Sequence, residues 1–119
     1  MTSYERGDVM LVGFLFADES GMKRRPAVVL SSRAYRQNRQ EVVVAAVTSS
    51  VDRVRFGDHA LAGWKEAGLL FPSLVTGILR TIKLRMIHRR LGSVSVREME
   101  AIDLNLIKIL GLKLPRQVG

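Results

Sequence analysis

The chain has 119 residues, 47% of them hydrophobic, which suits one domain with one core and leaves no room for a second. Nineteen Lys and Arg against eleven Asp and Glu give a net charge of +8, favouring a polyanionic or acidic partner, with nucleic acid ahead of an anionic membrane. The lack of cysteine removes disulfides, thiolate nucleophiles and thiolate metal sites, and no apolar run approaches the roughly 20 residues needed to span a bilayer.

In chain order, the opening Met1-Thr2-Ser3-Tyr4-Glu5-Arg6 lacks the charged-then-apolar layout of a secretion signal, which points to a cytoplasmic protein. Asp8 to Phe16 reads as a strand with both faces apolar, so one face is expected to meet a partner. After a polar loop from Ala17 to Lys23, the runs Pro26 to Ser31 and Glu41 to Val47 have strand length and are rich in β-branched residues. Between them, Ser32 to Gln40 reads as a polar connection.

Residues 53–61 alternate loosely and predict a further strand before a turn at Ala62-Gly63-Trp64. Leu69 to Thr76 and Ile78 to Leu84 predict two more, pinched at Gly77 by a bulge or tight bend. Ser95 and Glu98 form a capping-box signature for a helix that runs on one stripe through Val96, Met99, Ile102, Leu106 and Ile109 or Leu110. Gly111 stops that helix, and Pro115 to Gly119 are expected to be loose. The fold class is therefore mainly β with a C-terminal α-helix, in one domain over 1–119, with strands over about 6–94 and the helix over about 95–110.

The chemistry centres on Arg25. Its guanidinium and the hydroxyls of Thr48, Ser49 and Ser50 are offered at the ends of two neighbouring strands, a donor set suited to phosphate. Lys23, Arg24, Arg33, Arg36 and Arg39 fall with it in one acid-free stretch, and a second, from Ala67 to Arg97, holds Arg80, Lys83, Arg85, Arg89 and Arg90. Such clusters suit a nucleic-acid backbone. With aromatics at only 6% there is no broad stacking platform; Tyr35, in the basic stretch, is the candidate to stack a base, while Phe14, Phe16, Trp64 and Phe71 read as core or interface. His59 and His88 share no carboxylate at ligand spacing, so no metal centre and no cofactor is expected. No Ser-His-Asp set, paired carboxylates or glycine-rich phosphate loop is present.

Several segments, in order and near one spacing, resemble the MazF/PemK toxin family: Arg6-Gly7-Asp8-Val9, Arg24-Arg25-Pro26-Ala27-Val28-Val29-Leu30-Ser31, Ala45-Ala46-Val47-Thr48-Ser49, Gly68-Leu69-Leu70-Phe71-Pro72-Ser73, Leu79-Arg80-Thr81-Ile82 and Arg90-Leu91-Gly92. The resemblance, from about Arg6 to Leu112, implies an SH3-like small β-barrel of the CcdB/MazF/PemK type that assembles as a homodimer. It also implies a type II toxin that cleaves single-stranded RNA without metal, with Arg25 and Thr48 as the catalytic pair and an acidic, MazE/PemI-like antitoxin as partner. The RNA-binding candidates are then Lys23, Arg24, Ser49, Arg33, Tyr35, Arg36, Arg80 and Thr81. Gly77-Ile78 stands where many members carry Asp-Gln, and Met10 where an aromatic is common; these departures imply a PemK-like branch that need not share the family's usual RNA preference. Two other readings of the same fold are a CcdB-like gyrase inhibitor acting through a dimer face and the last helix, and a basic DNA-binding regulator, although no helix-turn-helix pattern is present.

Overall fold

The computed structural model describes residues 4–15, 22–113 and 115. Along the chain it contains β1 (Asp8–Leu15), β2 (Met22–Val29), α1 (Arg33–Arg39), β3 (Glu41–Thr48), β4 (His59–Ala60), β5 (Leu74–Lys83), a 3-10 turn (Leu84–Met86), β6 (Ile87–Ser93) and α2 (Val96–Leu110). All strand pairings are antiparallel, in the order β4-β5-β3-β2-β1-β6. The expected end of the first strand at Phe16, the loop from Ala17 to Gly21 and the tail over 116–119 lie outside the described residues.

The connection between β5 and β6 dictates the curvature. These strands stand four places apart in the sheet, a separation of about 19 Å if the sheet were flat. The Cα steps from Lys83 to Ile87 span at most about 14 Å, so the sheet must curl to bring its flanks together. Bulges assist: β6 slips twice against β1, between Val9 and Met10 and between Leu11 and Val12. The result is the mainly β, barrel-like sheet with a C-terminal helix that the sequence predicts.

Alternation along the strands divides the interior in two. Val9, Val28, Ala45, Val47 and Val75 join Ile102 of α2 in one cluster, whereas Met10, Val12, Ala27, Val29, Val42 and Val44 form the other, closed by Tyr4, Ile82, Leu84 and Ile87. Val9, Met10 and Val12 are thus fully buried within the chain, whereas Leu11 is half-buried.

Four expectations change. The polar connection Ser32 to Gln40 is a helix: the Ser32 hydroxyl accepts from Tyr35 N at 3.2 Å, and Gln40 closes α1 in the left-handed region at φ 57°. With Ala34 and Tyr35 as its only apolar residues, α1 shows no helical stripe to read. Within 53–61 only His59–Ala60 pairs as a strand. Leu69 to Thr76 and Ile78 to Leu84 are not two strands but one, β5, preceded by irregular chain through Ser73. Finally, Ile87–Ser93 pairs with β1 as an edge strand that the sequence reading passed over, because a strand bonded on one side can carry His88, Arg89 and Arg90 outward instead of an apolar alternation.

In α2 the Ser95 hydroxyl accepts from Glu98 N at 3.2 Å, as predicted. The reciprocal half of the capping box is replaced by a longer-range clamp: the Glu98 carboxylate accepts from Ala62 N at 2.8 Å and Gly63 N at 3.0 Å, and lies 3.0 Å from His59 Nε2. Burial alone would raise the Glu98 pKa, but the His59 contact and the two backbone donors outweigh it and hold the pKa below the ordinary glutamate range. Ile102, Met99 and Leu106 seat the helix on the core, while Val96, predicted on the buried stripe, is exposed together with Leu104 and Leu110.

Candidate active-site cleft

The apolar run through Val47 and the Arg-Arg-Pro sequence before Ala27 meet at a break in the sheet. Paired residues of β2 and β3 run from Val29 and Val44 to Ala27 and Ala46, and there the ladder stops. The next residue, Pro26, has no N–H to extend it. β2 nevertheless stays paired to β1, through Pro26 with Leu11 and Arg25 with Val12, and β3 stays paired to β5 through Val47 and Thr48. The two strands separate, and a cleft of about 1000 Å³ opens, with Arg25 and Pro26 on one side and Val47, Thr48 and Ser49 on the other. Carried two residues past its last pair, the β2–β3 register sets Arg25 opposite Thr48. Arg25 is therefore inside a strand rather than at the end of a loop, and its position is set by β1.

The far wall is the chain from Gly68 to Phe71, pressed onto β6. Gly68 has φ +85°, and a Cβ there would overlap the Leu91 carbonyl, so only glycine permits this contact. Phe71, expected in the core or an interface, is 62% exposed at the cleft edge. The pairing of β3 with β5 skips from Ala45 and Leu79 to Val47 and Val75, leaving Thr76, Gly77 and Ile78 bulged opposite Ala46. The Thr76 hydroxyl stitches this bulge, donating to Ala46 O at 2.7 Å and accepting from Ile78 N at 3.2 Å.

Hydroxyl accounting removes Ser73 and Thr76 from the five described hydroxyls that line the cleft and leaves Thr48, Ser49 and Ser50 as donors. Ser73 spends its proton on Phe71 O at 2.7 Å, and Thr76 spends its own on Ala46. Thr48 instead accepts from Ser50 N at 3.1 Å, which orients the side chain and leaves its O–H for a ligand. Among the described residues three guanidinium groups, from Arg25, Arg80 and Arg89, line the cleft, and no Asp, Glu or His does. Arg80 and Arg89 have no carboxylate partner among the described residues. The donor set suits a phosphodiester and would not ligate a divalent cation.

Of the residues predicted from sequence, the structure brings Arg25, Thr48, Ser49 and Arg80 into the cleft. Lys23 and Arg24 are exposed beside Arg25 on β2, and Thr81 is exposed on β5, but none of the three lines it. Arg33, Tyr35 and Arg36 sit on α1, at the Glu41 end of β3, about 23 Å of strand from Thr48. There Arg36 is only 9% exposed, donates to Tyr4 O at 2.6 Å and lies over the Tyr4 ring. Arg33 pairs with Glu5, and the Tyr35 ring is covered by Arg39 at 5.7 Å. Sequence reasoning left Arg89, Phe71 and Ile78 outside the site. Arg89 carried a signal, since it belongs to the acid-free stretch; Phe71 depends on a loop that no periodicity marks, and Ile78 on the bulge that Gly77 signals without showing which side chain it turns outward.

A profile of the PemK-like, MazF-like toxins of type II toxin-antitoxin systems matches residues 5–110. No curated protein matches the chain in sequence. Among solved structures the chain is similar to an endoribonuclease from a mycobacterial species, at 22% identity and TM-score 0.75, covering 97% of this chain and 98% of that one. It is similar also to MazF from Deinococcus radiodurans, at 20% identity and TM-score 0.76, covering 94% and 100%. A third similar structure is a mycobacterial endoribonuclease in complex with its cognate antitoxin, at 21% identity and TM-score 0.74, covering 95% and 100%. With the family profile spanning nearly the whole described chain, this protein belongs to the PemK-like, MazF-like toxins of type II toxin-antitoxin systems.

Proposed function

We propose that the protein is a cytoplasmic endoribonuclease toxin, a single domain acting as a homodimer, that cuts single-stranded RNA without metal in the cleft between β2 and β3. The observation that carries this reading is the placement of Arg25 and Thr48 on opposite sides of one cleft that Arg80 and Arg89 also line.

The RNA supplies its own nucleophile. Its 2′-hydroxyl attacks the adjacent phosphorus, the bond to the 5′-oxygen breaks, and the products are a 2′,3′-cyclic phosphate and a 5′-hydroxyl end. The nucleophile loses one proton and the leaving oxygen gains one. Negative charge grows on the non-bridging oxygens, where Arg25 offers a fixed positive fork and Thr48 an O–H donor; each such preorganised donor is worth roughly 10²- to 10³-fold in rate. Arg25 is assigned as a donor and not as the base, because a guanidinium is a permanent cation with N–H donors and no acceptor. Arg80 and Arg89 neutralise phosphates on either side of the one that is cut. An acidic antitoxin segment occupies the same cleft, drawn by the three arginines and the +8 net charge.

The test is cleavage of a mixed-sequence single-stranded RNA pool in EDTA by the wild type, Arg25→Ala and Thr48→Ala. Cutting by the wild type alone supports the reading. Intact RNA with the wild type, or equal cutting by both variants, overturns it.

A further inference from the structure

Behind Thr48 the chain from Ser49 to Asp58 borders a second depression, of about 500 Å³, which is within the usual range of small-molecule sites. It shares Thr48, Ser50, Thr76 and Ile78 with the catalytic cleft, so the two hollows meet at the hydroxyl assigned to the phosphate.

Its floor and one wall are apolar and held in place, while Asp52, Arg53, Arg55 and Asp58 add charge of both signs to its lining. The floor is Ile109 of α2, seated against Gly57 and Gly77, where an added Cβ would lie 2.8 Å and 3.1 Å from its side chain. One wall is Ile78, pushed outward by the β5 bulge and 50% exposed. The rim carries Phe56, 78% exposed at the centre of a closed turn. In that turn Arg55 N donates to Asp58 Oδ2 at 2.9 Å and Asp58 N to Arg55 O at 3.0 Å; Asn105 Nδ2 anchors it to α2 through Asp58 O at 3.2 Å. Folding has spent hydrogen bonds on presenting an aromatic ring to solvent, next to two arginines, Arg53 and Arg55, that also line the hollow.

We infer that this depression is a nucleobase subsite: a base next to the phosphate held at Thr48 turns into it, stacks on Phe56 and rests on Ile78 and Ile109. Arg53 and Arg55 meet the adjoining phosphates. The inference rests on the endoribonuclease reading, which supplies the RNA, and it assigns base contact to Phe56 and Ile78 rather than to Tyr35. A stacking ring on an apolar floor accepts any base face and grips the nucleotide by shape.

The test measures binding of a short single-stranded RNA, with 2′-deoxyribose at the cut site to prevent cleavage, and with one abasic position scanned along its length. Phe56→Ala is expected to weaken binding about 5- to 150-fold with an unchanged melting temperature, and Phe56→Trp to restore it. At one position beside the cut, base removal is expected to weaken the wild type but not Phe56→Ala. Equal affinity of Phe56→Ala and the wild type, or equal loss in both at every abasic position, overturns the subsite. If that happens while Thr48→Ala still abolishes cutting, the nuclease reading stands and only the subsite falls. A wild type that binds no RNA at all overturns both.

Discussion

The two ends of β3 carry the same residue type to opposite ends. At the Glu41 end, arginine is a building material: Arg36 is buried against Tyr4, Arg33 holds Glu5, and Arg39 reaches Glu41 at 3.0 Å. In the cleft that Thr48 lines, Arg80 and Arg89 face open space, with no carboxylate partner among the described residues. An arginine surrounded by acids and carbonyls is neutralised by its own protein. One in acid-free surroundings keeps its field for a ligand. Among the described residues, the local density of positive charge therefore does not mark the cleft between β2 and β3; the absence of carboxylates from its lining does.

Paired substitutions would break this contrast if it is wrong. Thr48→Ala should lower cleavage about 10²- to 10³-fold at unchanged stability. Arg36→Ala should do the reverse, costing about 1.5–3 kcal/mol of stability through a lost buried charged hydrogen bond while leaving the rate per folded molecule intact. Urea unfolding alongside initial rates checks both, and a large rate loss in Arg36→Ala would erase the distinction.

Glu98 sharpens the comparison from the cleft end, because its carboxylate ties α2 to the chain leading to the cleft wall. Its folded pKa is lowered, so its stabilisation is present above the unfolded value of about 4.3 and is lost as pH falls through the folded one. Glu98→Ala should cost about 1.5–3 kcal/mol at pH 7 and flatten the acid limb of a melting-temperature profile between pH 6 and 3. A wild-type acid limb retained in Glu98→Ala would place the linkage elsewhere.

The smallest effects lie in the salt dependence. Arg80→Ala and Arg89→Ala should each reduce the slope of log binding constant against log salt by about 0.7, the value for one single-strand phosphate contact. Arg33→Ala, which removes only the pair with Glu5, should leave the slope unchanged. A slope change for Arg33 would bring α1 back into the RNA path.

Residues near one another in sequence were readable wherever one local rule dominated. Val42 to Val47 could only be a buried strand, Ser95 and Gly111 bracket α2 by capping chemistry alone, and Gly77 lies in a bulge because a strand pattern tolerates glycine there. α1 and β6 were not readable, since one lacks an apolar stripe and the other is an edge strand whose outward residues are charged.

By itself the sequence determined the β-rich core, the terminal helix and the excess positive charge, which follow from side-chain chemistry and short-range periodicity. Arg25 and Thr48 were singled out as a catalytic pair by the resemblance to the toxin family; side-chain chemistry alone offered them only as an anion site. The tertiary structure decided which cations are available. It split β2 from β3 at Pro26, folded Arg36 inward and brought Arg89, Phe71, Ile78 and Phe56 around Thr48 from four separate segments. The reason is physical: whether a charge or a ring serves the fold or a ligand depends on what stands across from it in space, and sheet register sets that.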